Sequence, residues 1–89
     1  LRTKKMKNIK EKNIKNEITK YQLIITVNIK LNSNKITNIK EFTLNEIGTY
    51  NVENQHTQTL SNEKKLIILL SNNLAEKILE EISLRLNDL

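Results

Sequence analysis

The sequence has no cysteine, a single glycine and three aromatic side chains among its 89 residues. Without cysteine there is neither a disulfide nor a thiolate metal site, and the redox compartment is left open. With Gly48 as the only glycine, a glycine-rich phosphate-binding loop cannot be built. No apolar run is long enough to span a bilayer. The basic opening is not followed by an apolar core, so no signal peptide is visible, and a chain beginning at Leu1 is expected to be a fragment or a processed product. Apolar residues make up 37% of the chain and aromatics 3%, so any core is aliphatic and modest. The length suits one small domain.

The clearest pattern present runs from Ile18 to Asn32. Tyr21, Leu23, Ile25, Val27, Ile29 and Leu31 are apolar at consecutive odd positions, and the residues between them are polar except Ile24. A strict period of two marks a strand with one buried face, whereas a helix would scatter these residues around its circumference. Tyr21, Ile25, Val27 and Ile29 are β-branched or aromatic, which suits a pleated surface. One strand face cannot by itself offset the conformational entropy of a domain. The remaining core must come from the rest of the chain, from another chain, or from a segment outside it.

Asn32, Ser33, Asn34 and Lys35 supply turn chemistry, and asparagine tolerates the left-handed conformation of a tight hairpin. A second strand is predicted from about Ile36 to Glu46, antiparallel to the first, with a continuation from about Thr49 to Glu53. Ile36, Phe42 and Leu44 share one parity while Ile39 and Ile47 take the other, which predicts a bulge or register change. Gly48 marks a bulge, a bend or a close backbone approach.

After the polar loop Asn54–Leu60, Ser61 is the expected helix N-cap, with Glu63 favouring the positive end of the helix dipole. From Asn62 to about Asn87 the period becomes 3.6. Ile67, Leu70, Leu74, Ile78 and Ile82 form one stripe, widened by Ala75, Leu79 and Leu86. The stripe keeps its phase across Ser71-Asn72-Asn73, so one continuous helix is expected. At about 39 Å it matches a strand of about 12 residues, and it can cover the odd face lengthwise. The predicted fold class is α+β, an antiparallel hairpin or meander roofed on one face by a long C-terminal helix. Residues 18–89 form this β-β-α domain, and residues 1–17 a basic arm, disordered or leading into the first strand.

The charge is concentrated in that arm. Residues 1–20 carry Arg2 and seven lysines against Glu11 and Glu17, a net of +6, while the whole chain carries +5. Such an arm suits phosphates of nucleic acid or lipid. It equally suits a solvated segment of a lysine- and asparagine-rich protein, because charge alone specifies no partner.

Catalytic and metal chemistry find few footholds. His56 is the only histidine and lies in a polar stretch without nearby ligands. Glu80 and Glu81 are neighbours that point apart on a helix. Tyr21 and Phe42 read as core and not as a base-stacking platform. No catalytic, cofactor-binding or metal residue is assigned, and an enzyme is not expected. Leu66, Leu69 and Leu84 fall off the helical stripe and Ile24 lies on the polar strand face. These are either ordinary surface residues or, with an open sheet edge, a partner surface.

The run Tyr21-Gln22-Leu23-Ile24-Ile25-Thr26-Val27, a polar hairpin, the stretch from Phe42 to Tyr50-Asn51-Val52, a polar loop, and a helix carrying Asn73-Leu74-Ala75-Glu76-Lys77-Ile78 follow one another in order. In that order and spacing, residues 18–87 resemble the C-terminal half of the lipopolysaccharide-assembly lipoproteins (LptE-like). The resemblance implies a small α+β sandwich at the periplasmic face of the outer membrane. It implies binding and plugging of a β-barrel lipopolysaccharide translocon (LptD-like), contact with lipopolysaccharide, no cofactor and no nucleic-acid partner. Membrane association in the family runs through a lipid anchor, which this sequence lacks along with the family's first strand and helix. No lipid-binding residue carries over, because the basic positions lie outside the matching motifs. The alternative is a small basic nucleic-acid- or ribosome-associated protein using the arm, and a third possibility is a self-associating module that pairs sheet edges.

Overall fold

The computed structural model describes residues 2–31 and 40–87. Three strands, β1 (Arg2–Lys12), β2 (Ile18–Leu31) and β3 (Lys40–Asn51), precede one helix, α1 (His56–Asn87). The strands form an antiparallel meander in the order β1-β2-β3. The α+β class and the covering helix are as the hydrophobic periodicities predict.

β2 is the central strand, and its odd face is the core. Leu23, Ile25, Val27 and Ile29 are buried there with Phe42 and Tyr50 of β3 and Leu70 and Leu74 of α1. Tyr21, Leu44, Leu66, Ile67, Ile78 and Ile82 pack around this cluster. At about 25 cal/mol per Å² of apolar surface, each fully buried leucine or isoleucine contributes on the order of 2 kcal/mol.

The N-terminal segment corrects the sequence reading. Residues 2–12 are neither disordered nor merely a lead-in: they are a full edge strand, so the domain is β-β-β-α and begins well before residue 18. β1 pairs with β2 from Arg2↔Asn28 to Lys12↔Ile18, with register shifts between Ile9 and Lys12. Every one of its side chains is exposed. The strand exists because it satisfies backbone groups along β2, and no alternating apolar face announces it. Its turn is specified locally. The Asn13 Oδ1 accepts hydrogen bonds from the Lys15 and Glu17 backbone N–H groups at 2.9 and 3.0 Å. Asn16 takes the left-handed conformation at φ 64°. Together these close a three-residue hairpin loop.

β3 also differs from expectation. Its register with β2 runs unbroken from Lys20↔Asn51 to Leu31↔Lys40, so no bulge separates two strand halves. Ile47 simply points to the face opposite the helix, where Met6, Ile24 and Ile47 form one cross-strand row. The predicted turn at residues 32–35, Ile36 and Ile39, and the side chains of Leu31 and Leu86, lie outside the described residues.

Gly48 is a site of close approach. A Cβ there would lie 2.7 Å from Leu66 Cδ1 and 3.3 Å from Leu70 Cδ2. The missing side chain lets α1 settle on β3, and the helix packs far more closely on β3 than on β2. Leu66, expected to face solvent, is therefore part of the packed face.

α1 begins earlier than Ser61 suggests. The Gln55 carbonyl accepts from the Gln58 and Thr59 N–H groups at 3.1 and 3.2 Å, so the helix is initiated there and Ser61 lies inside it. Thr59 Oγ1 accepts the Glu53 N–H at 2.8 Å, and Asn62 Nδ2 donates to the Asn51 carbonyl at 3.2 Å. These bonds tie the exit from β3 to the first turns and remove the need for a serine cap. The 32-residue helix is continuous through Ser71-Asn72-Asn73 and spans about 48 Å.

Candidate functional site

Two features stand out: a polar cluster that crosses all four elements, and the cationic strand β1.

The cluster is centred on Tyr21 and Tyr50, direct cross-strand partners in β2 and β3. Their rings stack with centroids 5.6 Å apart and an interplanar angle of 29°. The Lys7 Nζ of β1 sits 4.3 Å from the Tyr21 ring centroid and 5.8 Å from that of Tyr50. Glu63 arrives from α1. Its Oε2 accepts a hydrogen bond from the Tyr50 hydroxyl at 2.8 Å and faces Lys7 Nζ at 3.4 Å. Glu63 thus works one face of the sheet well inside the helix, and does not act as the dipole-favouring residue of a first turn.

The electrostatics of the cluster follow from these contacts. The Tyr50 hydroxyl, and then Lys7, hold the Glu63 carboxyl below its usual range. Burial raises the Tyr50 phenol, and its interaction with Glu63 adds to the rise. Tyr50, with Glu63 behind it, raises the Lys7 ammonium. Every shift moves away from neutrality. Acid–base catalysis needs the opposite, groups brought toward the working pH. At pH 7 the set is an ammonium, a phenol and a carboxylate in their ordinary forms, and what it can do is clamp β1 to α1 across the aromatic pair.

β1 presents Arg2, Lys4, Lys5, Lys7, Lys10 and Lys12, all exposed, on a hydrogen-bonded strand. Same-side residues of a strand are about 7 Å apart, so the cations form fixed rows. Lys7 is committed to Glu63, and the neighbouring Glu11 faces Lys20 at 3.8 Å. Lys4, Lys10 and Lys12 form no ion pair among the described residues. Arg2 lines a shallow groove with Asn28, Lys30 and Glu41. The exposed side of β1 is therefore a positively charged surface.

The remaining positions singled out in the sequence are not brought together. His56 is the exposed first residue of α1. Phe42 belongs to the core, as read. Leu69 and Leu84 are exposed, and Ile24 is half-buried in the open-face row. Among the described residues no group of three or more histidine, cysteine or acidic side chains is placed to hold a metal, and no helix is long and apolar enough to cross a membrane. The cluster itself was missed because its members come from four separate elements. Its one sequence signal was that two of the three aromatics, Tyr21 and Tyr50, are tyrosines in strand patterns. In comparisons with protein-family models, curated proteins and solved structures, no match to this chain is found.

Proposed function

We propose that the chain is a non-enzymatic, LptE-like binding module of outer-membrane lipopolysaccharide assembly. In this reading it engages and plugs a β-barrel translocon (LptD-like) from the periplasmic face and contacts lipopolysaccharide. The observation that carries the reading is that the motifs behind the resemblance are the ones that build the domain. Leu23, Ile25 and Val27 are the buried face of β2, Tyr50 closes β3 against the core, and Leu74 and Ile78 are on the packed face of α1. The free lysines of β1 add the chemistry that lipid phosphates require.

The test is co-purification of the tagged chain with an outer-membrane β-barrel translocon, together with titration against lipopolysaccharide vesicles. Capture of the barrel and saturable vesicle binding are expected. Each of Lys4→Gln, Lys10→Gln and Lys12→Gln should weaken vesicle binding by roughly fivefold, since a cation near an anionic surface contributes about 1 kcal/mol. A monomer indifferent to both barrel and lipopolysaccharide would overturn the reading. Salt-dependent binding to generic RNA or DNA, without binding to either, would favour the nucleic-acid alternative.

A further inference from the structure

The two edges of the sheet are treated very differently by the sequence. β1 carries six basic residues and an irregular register near Ile9–Lys12, the usual devices that keep a second chain from pairing. Between Glu41 and Asn51, β3 has no lysine, arginine or proline. Its ladder with β2 is regular throughout, so its other edge is straight. Among the described residues no strand pairs with that edge.

The helix is displaced toward the same side. α1 covers the odd face of β2 but its axis lies nearer to β3 than to β2. Its outer flank brings Asn62, Lys65, Leu66 and Leu69 to an open cleft whose floor is Thr49, Tyr50, Asn51 and Glu53. Leu69 is 54% exposed there, and Ile47 is 54% exposed on the opposite face of β3. One exposed apolar side chain on each face, Leu69 above and Ile47 below, therefore flanks the vacant strand position. The corresponding face of β1 needs no cover, because Thr3, Lys5 and Lys7 occupy it.

We propose that the outer edge of β3 accepts an extended strand of another polypeptide, which becomes the fourth strand of the sheet beneath the flank of α1. Up to Thr49 the N–H and C=O groups that face away from β2 select an extended backbone, the Asn51 carbonyl beyond them being already bonded to Asn62 Nδ2, and pockets for alternate side chains select its sequence. The fitting strand is apolar in its middle, against Leu69 on one face and Ile47 on the other. It is polar toward Glu53, Asn62 and Lys65 at the cleft's end.

The β3 edge of a second copy does not fit. Antiparallel pairing of two β3 strands would place both helices on one face, over strands about 4.8 Å apart. Packed helices need about 8–10 Å between axes. This inference is independent of any lipid or barrel.

The experiment is a titration of the 89-residue chain with a synthetic ten-residue peptide that has a lysine at each end, two threonines next to each lysine and four consecutive valines in the middle, so that both faces of its centre are apolar. Amide hydrogen exchange is read residue by residue. The β3 amides not bonded to β2 are expected to slow at least tenfold, with those of β1 unchanged. The double substitution Ile47→Lys and Leu69→Lys, both at exposed positions, should abolish the slowing, whereas Met6→Lys on the far edge should preserve it. Absence of slowing in β3, slowing in β1 instead, or slowing that survives the double substitution would overturn the proposal.

Discussion

The Tyr50 hydroxyl donates a 2.8 Å hydrogen bond to the Glu63 Oε2, joining the end of β3 to the third turn of α1. Through Lys7, the same carboxylate reaches the edge strand. Tyr50→Phe keeps the buried ring and removes only the donor. A hydrogen bond to a charged group contributes about 1.5–3 kcal/mol, and this one is partly solvated, so a loss of about 1–2 kcal/mol is expected. Urea denaturation of the two proteins measures it. An unchanged midpoint would remove the clamp from the account of stability.

The clamp also sets a pH dependence. Glu63 titrates below its ordinary 4.5 in the folded chain, so its stabilisation is fully present above that pH and is lost as pH falls through the lowered value. Lys7 and Tyr50 are raised above 10.5 and 10.0, so their contributions are present below those values and are lost as pH rises through the folded ones. Unfolding midpoints across pH 3–11 should decline at both ends. Glu63→Gln should flatten the acid limb, and an acid limb identical to the wild type's would contradict this assignment.

Burial along α1 is uneven and makes a paired prediction. Leu74 is 5% exposed and Leu79 is 67% exposed. Leu74→Ala should cost about 2–5 kcal/mol, in the range for leucine truncation in a core. Leu79→Ala should change stability by no more than about 0.5 kcal/mol. Thermal melts suffice, and comparable losses would mean the helix packs in another rotation.

At Gly48 the nearest atoms to an added Cβ are the ends of the Leu66 and Leu70 side chains. Those ends can move, so Gly48→Ala should be tolerated with a loss below about 1 kcal/mol. Gly48→Val forces more volume under the helix and should cost about 1–3 kcal/mol, as overpacking does. Equal effects of the two substitutions would argue that the helix does not rest on this position.

What the sequence made legible was whatever depends on burial. Leu23, Ile25, Val27 and Ile29 alternate because one face is covered, and Leu70 and Leu74 recur at helical spacing for the same reason. β1 left no such trace. Its side chains are all in water, and what holds it is backbone pairing, which any residue but proline can supply. Ser61 misled because cap chemistry is local, while the bonds from Thr59 and Asn62 to the end of β3 are tertiary. The Lys7–Tyr50–Glu63 contacts were hidden for a related reason: spacing along the chain carries no information about residues 56 positions apart.

Because β1 buries none of its side chains, it can lift away while Leu23 and Val27 stay beneath the helix. Opening of that kind is a local event with a free energy well below that of global unfolding. Such opening would cost the β1–β2 ladder and the Lys7–Glu63 contact and would turn on the asparagine-closed turn at residues 13–17, so the β1 amides bonded to β2 should exchange ahead of the β3 amides bonded to β2.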